Sequence, residues 1–151
     1  MSTKRTFSHL SATGEAKMVN VAQKPDQARR ATAEGFVRGA AATVRLLKKQ
    51  ALPKGDVFSV ARIAAIQGAK STATLIPLCH PLPIHGIEID LKLEADGVRI
   101  RATVETIGKT GVEMEALTAV SIAGLTIYDM CKAVDKGMVI ESVRLVEKIK
   151  S

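Results

Sequence analysis

The sequence predicts an α+β fold in which an antiparallel sheet carries its helices on one face. Two stretches alternate apolar and polar residues on either side of Asp96-Gly97, which predicts a β-hairpin. Other stretches, before and after that hairpin, repeat apolar residues at helical spacing. A strand-like alternation both opens and closes the patterned part of the chain, so helices alternate with strands that can share one sheet.

Residues 1–17 are polar and lack a period, which predicts a flexible arm; Met18 to Ala22 is a short apolar run closed by Lys24-Pro25-Asp26, which predicts an anchored segment ending in a turn. From Ala28 to Val37 the small residues Ala31, Ala33 and Gly35 alternate with Arg30, Thr32, Glu34 and Phe36, the period of two of a strand. Gly39 to Ala51 carries Val44, Leu47 and Ala51 at helical steps, with Lys48 and Lys49 in the last turn and Leu52-Pro53 behind them as a stop. Asp56 is placed to cap a second helix, whose Val57, Val60, Ala61, Ala64 and Ala65 keep helical spacing in a run that Pro77 ends.

In the hairpin, Ile87, Ile89, Leu91 and Leu93 alternate with charged residues, and Val98, Ile100, Ala102 and Val104 alternate again after the turn. Residues 112–134 hold Leu117, Val120, Ile122, Leu125 and Ile127 without a proline, and Asp135-Lys136-Gly137 supplies the end of a long buried helix. Val139 to Ile149 reads as a last strand, with Val143 and Leu145 on one face and Ile140, Arg144 and Val146 on the other. Strand, two helices, hairpin, helix, strand is the split arrangement of a ferredoxin-like domain with one extra helix in the first crossover.

With 151 residues and 46% apolar side chains, a single domain over residues 1–151 is expected. Cys79 and Cys131 are too few for a disulfide framework, no signal-like stretch opens the chain, and no apolar run approaches the about 20 residues of a membrane helix. A soluble cytoplasmic protein is expected. The net charge of +7 suits an anionic partner, although Lys4, Arg5, Lys148 and Lys150 lie near the ends, where a solvated tail is the simpler account.

Leu78-Cys79-His80-Pro81-Leu82-Pro83 lies between a helix and a strand, so two prolines stiffen a loop in which Cys79 and His80 are neighbours. Adjacent Cys and His rarely chelate one ion, and His9, His85 and Cys131 show no ligand spacing, so no metal is expected. Gly108-Lys109-Thr110-Gly111 precedes the long helix, where main-chain amides could hold a phosphate. A P-loop would need glycine where Thr103 stands, which argues against that class of NTPase. Asp129 and Lys132, one turn apart, make a surface ion pair, and Glu113 and Glu115 suit a first helical turn; neither pair alone requires a function.

Taken together, Leu78-Cys79-His80-Pro81, the run from Gly108 to Thr118 (GKTGVEMEALT) and Ile127-Tyr128-Asp129-Met130-Cys131-Lys132 closely resemble the cyclic pyranopterin monophosphate synthase (MoaC) family. The likeness extends through Gly14-Glu15-Ala16, Met18-Val19, Arg29, Lys54-Gly55-Asp56, Ile76-Pro77, Met138-Val139-Ile140 and Val143-Arg144-Leu145. It implies a lyase of molybdenum cofactor (molybdopterin) biosynthesis that takes a cyclised dihydro-GTP to cyclic pyranopterin monophosphate with loss of pyrophosphate. It also implies a homohexamer built from dimers, active sites where subunits meet, and no cofactor.

Carried over by position, the resemblance puts chemistry on Lys54, His80, Asp129 and Lys132. Substrate holding falls to Leu78, Cys79, His80, Met114, Glu115 and Arg29, with Glu113 and Lys109 as further pocket residues. Ring opening, pterin closure and cyclic phosphate formation all need proton transfers, and departing pyrophosphate needs cations. A lysine that is desolvated or set beside another cation has a lowered pKa, which would suit Lys54 or Lys132 to acid–base work with Asp129 positioning Lys132. Asn20 departs from the family's usual aspartate, and many relatives continue beyond Lys150-Ser151 into a glycine-rich, lysine-containing tail whose contribution does not carry over.

Two other classes compete with an enzyme. An RNA-binding domain of this fold would place aromatic residues on its central strands, yet the hairpin has none, and Phe7, Phe36, Phe58 and Tyr128 are scattered. A non-catalytic oligomer would have no need of Lys54 and Lys132.

Overall fold

The structure is a computed structural model and describes residues 8–151. The predicted arm therefore lies in part outside the described residues; within 8–17, Leu10 and Ala16 form an isolated antiparallel bridge. The elements are β1 (Gln27–Arg38), α1 (Ala41–Lys48), α2 (Val57–Lys70), α3 (Thr72–Leu75), β2 (Gly86–Glu94), β3 (Gly97–Gly108), α4 (Glu113–Cys131) and β4 (Val139–Lys150). They build a four-stranded antiparallel sheet in the order β2-β3-β1-β4, which is the ferredoxin-like arrangement.

The small residues of β1 let α4 come close to the sheet. Ala31, Ala33 and Val37 are buried, and so are Ala116, Ala119, Val120, Ala123 and Ile127 of the helix. A Cβ on Gly35 would lie 2.7 Å from Val120 Cγ1, so the alternation of small residues seen in the sequence is a packing requirement. α2 runs antiparallel to α4: Lys54, just before α2, reaches Asp129, and Gly68 near its end lies against Ile122. The opposite face of the sheet is polar, with Thr32 and Thr103 sharing a 2.9 Å hydrogen bond among ion pairs such as Arg99–Glu94 and Arg144–Glu34.

Three local expectations are corrected. The helical run from Asp56 to Pro77 breaks at Ser71 into α2 and α3, where the Thr72 hydroxyl donates to the Ala69 carbonyl at 2.9 Å and competes with helix continuation. The hairpin turn is Ala95-Asp96 rather than Asp96-Gly97, because Glu94 and Gly97 are the last paired residues. Ile140 and Val143 share the helix-facing side of β4, since Ser142 adopts φ 57° in a bulge that shifts the register by a residue.

Gly97 is required in the strand, not in the turn. A Cβ there would strike the Val37 carbonyl oxygen and stand 2.8 Å from the Phe36 ring. Gly97→Ala is expected to cost ~3 kcal/mol by overpacking, a drop in Tm of ~6–12 °C for a chain of this size, measurable by calorimetry.

α4 has the length and composition of a membrane-crossing segment, with 19 residues and mean hydropathy 1.2, although the sequence suggested no such run. More than half of it, 56%, is buried inside the fold, as befits a core helix.

Candidate functional site

At the C-terminal end of α4, Asp129 stands between two lysines. Gly55, at φ +92°, turns the chain back just before Asp56 caps α2 by accepting from the Ser59 amide at 3.1 Å. That corner aims Lys54 at the helix end, where its ammonium donates to Asp129 Oδ2 at 2.8 Å and to the Asp129 carbonyl at 3.0 Å. Lys132 Nζ lies 2.6 Å from the other carboxylate oxygen. The bonds from Lys132 and Lys54 hold the Asp129 carboxyl down to about 2. Asp129 in turn pushes the Lys132 ammonium up, so the expected lowering of a lysine pKa is corrected for Lys132. Its side chain is exposed and faces an anion, which stabilises the charged form.

At the N-terminal end of α4, Leu78, Cys79, His80, Met114 and Glu115 line a cavity of about 470 Å³. The Cys79 amide donates to the Ile76 carbonyl at 3.1 Å, and the Thr106 hydroxyl donates to the Pro83 carbonyl, so the proline-stiffened loop is tied at both ends. His80 Nε2 lies 2.6 Å from the Val19 carbonyl oxygen. Glu115 is only 4% exposed, and burial, with the charge of Glu113 in support, pushes its carboxyl up. Burial likewise pushes the Cys79 thiol up, which disfavours a thiolate nucleophile there.

A second, basic cavity of about 480 Å³ adjoins the first and shares Lys24, Thr110, Gly111 and Glu113 with it. Arg29 reaches across from β1 to donate to the Gly108 carbonyl at 3.0 Å and the Lys109 carbonyl at 3.2 Å. Lys109 donates to the carbonyls of Ala22 at 2.8 Å and Lys24 at 3.1 Å. Glu113 folds back over Gly111 and pairs with Lys148. Burial alone would push Glu113 up, but the bonds from Lys148 and from its own amide, with the field of Arg29, outweigh it and hold the carboxyl below its usual range. The start of α4 thus already carries an anion of its own beside Gly111.

The two groups of candidates do not meet within one chain. Glu115 and Asp129 are 14 residues apart on one helix, which separates them by about 21 Å along its axis. Lys54, Asp129 and Lys132 gather at one end; Leu78, Cys79, His80, Met114 and Glu115 gather at the other, with Arg29, Lys109 and Glu113 beside them.

Residues 18–151, all but the first 17 of the chain, match the MoaC family. The chain belongs to the MoaC family. That places it in molybdenum cofactor biosynthesis. The match spans both ends of α4, and it takes in Val19 to Lys24, the segment beside which both cavities open.

The polar arrangement at this end of α4 includes residues that the sequence alone did not single out. Lys148 and Lys150, read as a solvated tail, belong to β4 and line the basic cavity, because the strand register sets Lys150 opposite Arg29. Their spacing of two, continuing the alternation of the strand, was the available signal. Lys24 lines both cavities, yet nothing in its turn sequence marked it. Asn20 accepts from the Ala22 amide at 2.9 Å, a role that an aspartate oxygen fills equally well, so the departure at this position preserves the turn.

Glu115 allows a direct check on how this MoaC-family cavity is built. Its folded pKa is raised, so its contribution to stability is fully present below the unfolded value of about 4.5 and is lost as pH rises through the folded value. Glu115→Gln is therefore expected to raise Tm at pH 7 and to give no gain at pH 4, by ~2–4 °C for each kcal/mol of ionisation penalty removed. Thermal melts at the two pH values measure the difference.

Proposed function

We propose that the protein converts (8S)-3′,8-cyclo-7,8-dihydroguanosine 5′-triphosphate into cyclic pyranopterin monophosphate and pyrophosphate. It acts as a phosphorus–oxygen lyase in the cytoplasm, as a homohexamer made of three dimers. The observation that carries this reading is the division of the polar residues between the two ends of α4, about 21 Å apart along 14 residues. The Glu115 end has the cavity but not the Lys54–Asp129–Lys132 cluster; a site made from the Glu115 end of one subunit and the Asp129 end of another has both.

Apolar surface supports such assembly. Val143, Leu145, Val146 and Ile149 of the edge strand β4 are exposed, as are Ile63 on α2 and Leu125 on α4. In the assembled site, Leu78 and Met114 flank the ring system, and Glu115, whose acid form burial favours, exchanges protons with it. His80 and Cys79 line the same wall. When a substrate hydroxyl attacks the α-phosphorus, its proton passes to a protein base and the bond to the pyrophosphate oxygen breaks. Lys54 and Lys132, gathered on Asp129, stabilise the charge on the departing group.

An RNA-binding role is disfavoured by Phe36, which is 4% exposed and carries the guanidinium groups of Arg38 and Arg99 at 5.3 and 4.9 Å. Phe58 and Tyr128 pack against the core, so none of these three offers a stacking platform.

The test is to supply the cyclised dihydro-GTP and follow phosphorus NMR. Release of pyrophosphate in step with cyclic phosphate supports the reading; tight binding without either product contradicts it.

A further inference from the structure

The segment Val19–Lys24 has no regular secondary structure, yet it forms part of the wall of both cavities. Side chains from two separate loops hold it. His80 lies against the Val19 carbonyl, and Lys109 takes the carbonyls of Ala22 and Lys24 together. Within the segment, Asn20 accepts from the Ala22 amide and the Lys24 amide donates to the Val21 carbonyl at 3.0 Å, closing a turn. Val19 and Val21 thereby face the first cavity, and Lys24 reaches both.

We infer that Lys109 is a positioning residue: its ammonium clamps the strap Val19–Lys24, and the strap sets the outer wall of the precursor cavity and the place of Lys24. Two main-chain carbonyls already share its donors at hydrogen-bond distance. Main-chain carbonyls of one short turn are a poor stand-in for a substrate phosphate, because they cannot leave without unmaking the wall. A lysine suits this task, since three rotatable donors on a flexible stem can serve carbonyls that diverge in direction. The resemblance alone made Lys109 a pocket residue; the geometry assigns it the wall.

The inference rests on reading the first cavity as the precursor site, but the clamp is observable without that reading. Lys109→Met should speed hydrogen exchange of residues 19–24 by about tenfold or more for the loss of two charge-assisted bonds, and Asn20→Ala by about threefold for the loss of one neutral bond, while exchange in α4 stays unchanged. Both should raise KM for the cyclised dihydro-GTP more than they lower kcat. The double variant should add little to Lys109→Met, because both act through one strap, and Lys109→Arg should restore much of the protection.

Raised KM in Lys109→Met with unchanged strap exchange would make Lys109 a direct substrate contact and overturn the inference; so would independent, additive effects of the two substitutions. Faster strap exchange in an otherwise intact protein whose parent form does not turn over the precursor would leave the clamp standing and remove the proposed function.

Discussion

Lys132→Ala is expected to lower kcat for cyclic phosphate formation by ~10²–10⁴, the range for loss of a positioned proton donor or charge-stabilising group. The fold should barely register the change. The Lys132 side chain is 54% exposed and its ion pair with Asp129 lies on the surface, so Tm should move by no more than ~2–4 °C. Asp129→Asn should also be slow, for a different reason: Lys54 and Lys132 would lose the anion that holds both ammonium groups at one point. Lys132→Arg keeps the charge but replaces a compact ammonium with a planar fork, so it should recover only part of the rate. Steady-state turnover with parallel melts separates a lost chemical step from a lost fold.

The pH dependence of that rate follows from the same cluster. Asp129 titrates at about 2, below its ordinary 3.8. A depressed carboxyl contributes fully above its unfolded pKa and loses its effect as pH falls through the folded value. Asp129 is therefore ionised throughout the working range, and any acid limb seen there belongs to another group. Glu115, pushed up by burial, is the carboxyl placed to produce it. Glu115→Gln should remove or shift that limb in a pH–rate profile, whereas Lys132→Ala should lower the rate without moving it.

Most of the fold was legible because each element carries a period that burial makes compulsory. The alternation through Ala31, Ala33 and Gly35 and the pattern of Val98, Ile100, Ala102 and Val104 correspond to buried faces of β1 and β3, where a slip of one residue would expose the core. The cap at Asp56 was equally readable, since one carboxylate answers one orphan amide. What escaped was set by contacts distant in sequence. Gly97 looks like half of a turn, but it is glycine because Val37 and Phe36, some 60 positions earlier, press against it. The bulge at Ser142 reverses the alternation of β4, and no residue in that strand announces it.

The site divides in the same way. Cys79, His80, Glu115, Lys54, Asp129 and Lys132 were named from residue type and family likeness, which carry no distances. Only the folded helix reveals that they fall into two groups. The raised Lys132 pKa was likewise hidden, because a spacing of three cannot tell whether the dominant neighbour is an anion or another cation.

Subunit mixing tests most directly the claim that the two ends of α4 serve one site in different chains. His80→Ala removes a residue from one end and Lys132→Ala from the other. Each variant alone should be nearly inactive. Dissociated together in equal amounts and reassembled, they should regain about a quarter of the parent activity, the share of sites that random pairing leaves intact at both ends. Recovery to that level would establish a site shared between subunits; an exchanged mixture no more active than its two parents would contradict it.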